Sequence, residues 1–171
     1  MGKINVLDKF TAEKIAAGEV VQRPASVIKE LVENSIDAGA TTVTVEIKNG
    51  GTTYMRVTDN GIGMEQDDAQ KAFLRHATSK IKTDTDLESI RTLGFRGEAL
   101  CSIAAVSRTE MLTKQRTASE GTHIVVEGGE EISFEKSGSP DGTTIVVKNL
   151  FFTVAEADIR DIFTHNAFAR R

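Results

Sequence analysis

Glu30, Asn34 and Asp37 are carboxylate and amide side chains close together in a segment that reads as a helix from Pro24 to Ala38. At about 100° per residue, Asn34 falls at about +40° and Asp37 at about −20° from Glu30, so the three share a face. Ile28, Leu31, Val32, Ser35 and Ile36 fall on the other side, so the helix is expected to bury that stripe and turn the acidic face away from it. A carboxylate in such a place can orient a water and take its proton. An amide oxygen one turn on can hold a hard cation. The same pattern is also that of an ordinary solvated face, and the helix alone leaves both readings open.

Three further clusters could serve a ligand. Asp59-Asn60-Gly61-Ile62-Gly63 puts a carboxylate at a strand end beside two glycines, where backbone can approach a ligand or simply turn tightly. Gly94-Phe95-Arg96-Gly97-Glu98-Ala99-Leu100 runs into a helix start. Free N–H groups there suit phosphate oxygens, although the spacing is neither Walker A nor a dinucleotide fingerprint. Gly142-Thr143-Thr144 opens a strand and says little alone.

These clusters need elements to carry them. A short helix is expected at Thr11 to Ala17. Pro24 suits the first position of the longer helix, and Gly39 suits a left-handed cap just past its end. Val43, Val45 and Ile47 alternate with Thr44 and Glu46, the period of a strand buried on one face. Asn49-Gly50-Gly51 marks a turn, and a second strand runs from about Tyr54 to Thr58, ending at Asp59. Residues 60–97 are polar and hold one expected helix near Asp67 to His76. A helix follows at Glu98 to Val106. Strands are then expected at Arg108 to Thr113, His123 to Glu127, Glu131 to Lys136 and Thr143 to Asn149. Helices first and a strand meander later predict an α+β two-layer sandwich, helices packed on one face of a mostly antiparallel sheet.

Composition narrows the function classes. The chain has 171 residues, 39 % of them hydrophobic, which suits one domain with one core. A net charge of −4, no tryptophan and one tyrosine argue against a dedicated nucleic-acid binder. The single cysteine, Cys101, cannot form an internal disulfide, and it is expected in the core. With no signal-like start, a reducing cytoplasm is expected. No apolar run approaches the roughly 20 residues that cross a bilayer, so no membrane partner is expected. His76 reads as a surface or phosphate-contacting residue, His123 and His165 as structural or solvated, and no histidine–cysteine spacing suggests zinc. Phe151-Phe152 reads as packing.

Taken together and in order, the motifs resemble the family of DNA gyrase, heat-shock chaperone, histidine kinase and MutL ATPases, within it the MutL-type mismatch-repair branch. The resemblance is carried by Ile15-Ala16-Ala17-Gly18-Glu19-Val20-Val21, Arg23-Pro24-Ala25-Ser26-Val27, Glu30-Leu31-Val32-Glu33-Asn34-Ser35, Asp37-Ala38-Gly39-Ala40, Arg75-His76-Ala77-Thr78-Ser79-Lys80-Ile81 and the Gly94 to Leu100 stretch. It covers roughly residues 4–152 and implies a Bergerat-type ATP-binding fold.

The resemblance also implies roles. Glu30 would activate the attacking water, and Asn34 would hold Mg²⁺ through its amide oxygen. Asp59 would accept from the adenine amino group, with Thr143 assisting. Asp37, Ala38, Gly61, Gly63 and Met64 would line the nucleotide. Thr78, Ser79, Lys80, Leu93, Gly94, Phe95, Arg96, Gly97, Glu98, Ala99 and Leu100 would form the lid and phosphate contacts; Lys80 reads as either a phosphate contact or a solvated residue. ATP would order the lid and the segment around Ile4 to Val6 and drive homodimerisation, which in the intact protein signals to mismatch-recognition and downstream repair proteins and to DNA.

After Phe152 the pattern departs. The family's asparagine-threonine-proline-alanine-arginine run is replaced by Thr153-Val154-Ala155-Glu156. The second domain, with its lysine for the γ-phosphate, and the C-terminal dimerisation region lie outside the sequence. Residues 1–152 are thus expected to be the ATP-binding domain and 153–171 a tail without family match. Two outcomes stay open: slow Mg²⁺-dependent hydrolysis, or nucleotide binding with little turnover.

Overall fold

The computed structural model describes residues 17–18, 21–75 and 98–152. Among them three helices, α1 (Pro24–Asp37), α2 (Gln66–Lys71) and α3 (Ala99–Ala105), pack on one face of a six-stranded sheet. The strands are β1 (Val43–Lys48), β2 (Tyr54–Asp59), β3 (Arg108–Lys114), β4 (Gly121–Glu127), β5 (Glu130–Ser137) and β6 (Gly142–Lys148). They lie in the order β1-β2-β6-β3-β4-β5, every neighbour antiparallel. The expected two-layer α+β sandwich is present.

Local chemistry explains the elements. Pro24 occupies the start of α1, where its missing N–H costs nothing, and Gly39 follows the helix at φ +71°. Asn49, Gly50 and Gly51 all take positive φ in the single turn between β1 and β2. The helix after β2 is shorter than expected, ending at Lys71. Phe73 and Leu74 close on the backbone carbonyls of Gln70 and Lys71 in a turn that stops it. The expected helix at Thr11 to Ala17, the segment Ile4 to Val6, His76, His165 and residues 153–171 lie outside the described residues, Ala17 apart.

Strand register organises the inner face into rows. One row joins Met55, Val147, Thr109 and Val126; the next joins Val57, Ile145, Met111 and Ile124. All eight are buried against the helices. Burying an aliphatic side chain of this size contributes about 1.5–3 kcal/mol, so these rows are the main adhesive between layers. The third row is Asp59, Thr143, Thr113 and Thr122. The inner face therefore changes from apolar to polar at one end of the sheet.

Two expectations about burial need correction. Val45 is 41 % exposed and Ile47 50 %, although they share a face with buried Val57 and Met55. Their strand is an edge of the sheet, and α1 packs mainly on β2 beside it. Ile36 is 52 % exposed rather than part of the buried stripe. The stripe is Val27, Leu31 and Ser35, at about +60°, +100° and +140° from Glu30, and Ile36 lies about 140° beyond Leu31. Glu30, Asn34 and Asp37 consequently flank the stripe instead of opposing it, and all three are half-buried.

The outer face carries paired charges. Glu110 accepts from Lys148 Nζ at 2.8 Å and lies 3.6 Å from Arg108 Nε, and Arg108 pairs with Glu127 at 2.7 Å. Burial pushes the Glu110 carboxyl upward, but the Lys148 hydrogen bond and charge, joined by Arg108, outweigh it and hold it below the ordinary carboxylate value. His123 lies 3.6 Å from Glu135 and 4.0 Å from Glu110, a half-buried structural position as expected.

Candidate functional site

The polar row gathers around Asp59, whose residue is 9 % exposed. Its Oδ1 accepts the backbone N–H of Gly61 at 2.9 Å and of Thr143 at 3.2 Å. Its Oδ2 accepts the Ser35 hydroxyl at 2.8 Å. Ser35 is the polar member of the α1 stripe, 3 % exposed, and its hydroxyl also lies 3.1 Å from the Leu31 carbonyl. Thus the strand end, the loop after it, the partner strand and the helix all converge on one carboxylate. An ionised carboxylate has about four lone-pair sites, and the three contacts leave one on Oδ2 unspent.

Close backbone packing makes the glycines necessary. A Cβ on Gly61 would lie 2.8 Å from the Ala38 carbonyl oxygen and 3.1 Å from Asp59 Oδ1. Gly63, at φ +67°, would overlap the Lys114 carbonyl, and Gly142, at φ +103°, the Asp59 backbone oxygen. The turn is also stitched to α1, where Ile62 N–H donates to the Ala38 carbonyl at 3.0 Å. Asn60 is committed to the loop. Its Oδ1 accepts from Thr41 N–H at 2.9 Å and Thr42 N–H at 3.0 Å, and its Nδ2 donates to Thr41 Oγ1 at 2.8 Å.

Sequence reasoning missed Ser35 as a site residue, and also Thr113. Thr113 is fully buried. Its Oγ1 accepts Met64 N–H at 3.0 Å, lies 2.9 Å from Thr143 Oγ1 and 3.2 Å from the Gly142 carbonyl oxygen. The available signal was phase: Thr113 alternates with Thr109 and Met111, which places it on the inner face. Only the cross-strand register puts it beside Thr143.

Helix α1 carries Glu30 and Asn34 on the turns that lead into Ser35 and hence to Asp59. Neighbouring Glu33 is engaged by Lys29 at 2.7 Å, an i,i+4 pair. That hydrogen bond and charge raise the Lys29 pKa, with a smaller contribution from Glu30. Glu30 makes no hydrogen bond or ion pair among the described residues. Asn34 presents one neutral amide oxygen, and no group of three metal-ligating His, Cys, Asp or Glu side chains occurs among the described residues. An amide oxygen is a hard donor of the kind Mg²⁺ takes, and zinc sites are built instead from His, Cys and carboxylate groups.

Of the other expected contacts, Asp37, Ala38, Gly61, Gly63 and Met64 lie around Asp59 or at the α1 end that faces it. Glu98, Ala99 and Leu100 form the half-buried start of α3, which touches α1. Thr78, Ser79, Lys80, Leu93, Gly94, Phe95, Arg96 and Gly97 lie outside the described residues. Cys101 is half-buried rather than fully in the core, its thiol donating to the Glu98 carbonyl at 3.3 Å. Phe151 is buried and Phe152 is 48 % exposed, so only one of the pair is packing.

A helix bearing a glutamate and an asparagine is laid over a sheet whose polar end centres on a buried aspartate, within a sandwich of the α+β class. Residues 22–136 match the family described as histidine kinase-, DNA gyrase B- and HSP90-like ATPase, and the chain belongs to that family. Within it the chain matches the N-terminal ATPase domain of MutL mismatch-repair proteins. It is 56 % identical over 154 residues to the DNA mismatch repair protein MutL of Agathobacter rectalis, covering 90 % of this chain and 24 % of that protein. It is 58 % identical over 152 residues to MutL of Caldanaerobacter subterraneus subsp. tengcongensis, covering 89 % and 26 %. The Aquifex aeolicus MutL ATPase domain complexed with ADP superposes with a TM-score of 0.62 at 32 % identity, over 86 % of this chain and 54 % of that one. The chain spans about a quarter of the length of the curated relatives it matches.

Proposed function

We propose that this chain binds ATP with its adenine against Asp59 and its phosphates toward Glu30 and Asn34, and hydrolyses it slowly as the switch of a mismatch-repair protein. The observation that carries the reading is the Asp59 carboxylate, buried and held by three neutral donors with one Oδ2 lone pair left for a donor from outside. The adenine amino group is such a donor. Guanine offers a carbonyl oxygen at the same place, and two facing acceptors would each go unpaired. The Aquifex relative with ADP adds support from a similar fold.

Asn34 would hold Mg²⁺ through its amide oxygen; when bound, the ion supplies charge neutralisation for the phosphate oxygens. Glu30, half-buried and with no ion pair among the described residues, orients a water and accepts its proton. Asp37, Ala38, Gly61, Gly63, Met64 and Thr143 line the base end. Residues 78–80 and 93–100 supply the lid and phosphate contacts. In the full-length protein this switch drives homodimerisation and signals to mismatch-recognition and downstream repair proteins, with DNA as a further partner, in the cytoplasm. Loop ordering by a ligand is a known route for such coupling.

The test is Mg²⁺-dependent phosphate release alongside calorimetric ATP binding. Glu30→Ala is expected to bind ATP within about threefold of the parent and to lose on the order of 100-fold or more in turnover. Unchanged turnover would sink the catalytic assignment. Because the chain spans only about a quarter of its relatives, a second reading is a binding module with little turnover of its own. Tight ATP binding by the parent with phosphate release at background would favour it.

A further inference from the structure

We propose that residues 153–171 dock as a helix in the groove between α1 and the edge strand β1, with Ile159, Ile162 and Phe163 against it. Docked there, the segment holds α1 from the flank opposite Glu30 and Asn34. It follows directly on Phe152, the last of the described residues.

The groove follows from the direction of α1. The helix starts over the β1–β2 turn, where a Cβ on Gly51 would lie 2.8 Å from Pro24 Cβ, and ends beside Asp59, so it runs parallel to β2. Ile28, Val32 and Ile36 lie about 60°, 100° and 140° round the helix from Leu31, away from Glu30 and Asn34. With β1 on one side of β2 and β6 on the other, a right-handed helix in this direction turns that aliphatic flank toward β1 and the Glu30 flank toward α3. Val43, Val45 and Ile47 of β1 face the same layer. Ile36, Val45 and Ile47 are exposed, and Ile28, Val32 and Val43 are half-buried. Among the described residues no other helix lies over β1. Six aliphatic side chains beside a sheet edge make the kind of patch that soluble domains cover.

The chain arrives at the mouth of this groove. Asn149 and Leu150 N–H donate to the Thr53 and Thr52 carbonyls at 3.1 and 2.8 Å, in the turn that joins β1 to β2. As a helix, residues 154–167 would extend about 20 Å, the length of a six-residue strand. At about 100° per residue, Ala155, Ile162 and Phe163 fall within about 60° of Ile159, and Ala157, Asp161 and Thr164 fall on the other side. Charge fits the same direction. Three of the four charges in the first half of the segment are acidic, Glu156, Asp158 and Asp161, and Arg170 and Arg171 come last. Arg23, Lys29 and Lys48 stand in the half of the groove nearer the mouth, and the far end is the carbonyl end of α1, which favours cations.

The full chain carrying C101S and T164C takes one nitroxide label on the solvent side of the docked helix. Paramagnetic broadening is expected at the methyl signals of Ile36, Val45 and Ile47, and not at Leu74 and Ile132, exposed aliphatics toward the opposite edge of the sheet. Broadening of all five alike, or of none, overturns the proposal. Broadening carried between labelled and unlabelled molecules in a mixed sample would put a second copy in the groove and overturns it too. Hydrogen exchange on unlabelled full chains gives a second reading. I159D is expected to speed exchange of the β1 amides that pair with β2 by about tenfold or more, while I159L and A157D stay near the parent. No acceleration by I159D, or equal acceleration by A157D, overturns the docking.

Discussion

Two carboxylates on neighbouring parts of one sheet are handled in opposite ways. Asp59, on the inner face, is held by two backbone N–H groups and a serine hydroxyl. Glu110, on the outer face, is held by Lys148 and Arg108. Neutral donors orient an oxygen without cancelling its charge, and by count they leave one lone pair on Asp59 Oδ2 for a further donor. Cations offset the charge itself: Lys148 Nζ donates to Glu110 Oε1 and Arg108 stands beside the same oxygen. The difference separates a carboxylate prepared for a ligand from one that stabilises the fold, and burial sharpens it, because a hydrogen bond counts for more where water is excluded.

The largest expected effect breaks the ligand side of that comparison. Asp59→Asn puts an amide among the same donors. Its oxygen can face Gly61 and Thr143, but its NH₂ then turns toward both the Ser35 side and the adenine amino group. ATP affinity is expected to fall by about 100-fold in calorimetry, the scale of a charged hydrogen bond replaced by a donor–donor conflict. Unchanged affinity would remove Asp59 from the base pocket.

A middle effect tests whether orientation matters apart from charge. Ser35→Ala leaves the carboxylate but removes the donor on Oδ2. ATP binding is expected to weaken by about tenfold, with a loss of about 1 kcal/mol in stability read by denaturant melts. If affinity holds while stability falls, Ser35 is a packing residue only.

The smallest effect lies on the outer face. Because Glu110 is held below the ordinary value of 4.5, its contribution is complete above that pH and is lost as pH falls through the lower folded-state value. Glu110→Gln is therefore expected to cost about 0.5–1 kcal/mol at neutral pH, discounted for its partial exposure, with the gap to the parent closing below that window. ATP affinity should not change. A loss of nucleotide binding in this variant would mean that the two faces of the sheet are coupled.

Much is legible in the sequence. The six strand segments, the alternation of Val43, Val45 and Ile47 in the first of them, Pro24 and Gly39 at the ends of α1, and the turn at Asn49-Gly50-Gly51 each follow from local backbone chemistry. Asp59 was legible as a strand-end carboxylate beside glycines, and the motif order carried the family. What misled was the angular reading of α1. It counted Ile36 among the buried residues and omitted Val27, which is 1 % exposed. Helical angle orders residues around an axis, but it does not say which arc meets the sheet. The same limit applies to Val45 and Ile47, whose alternation was read correctly while their place on an edge strand was not.

The sequence by itself determined the elements, the side-chain phase within each strand, and the residues able to do nucleotide chemistry. The tertiary structure decided which of them meet. Alternation assigns Thr113 to a face, but only the antiparallel register of β2, β6, β3 and β4 brings Asp59, Thr143, Thr113 and Thr122 into one row. The physical reason is that phase is a property of one chain segment, whereas register is set between segments by the packing of the whole inner face.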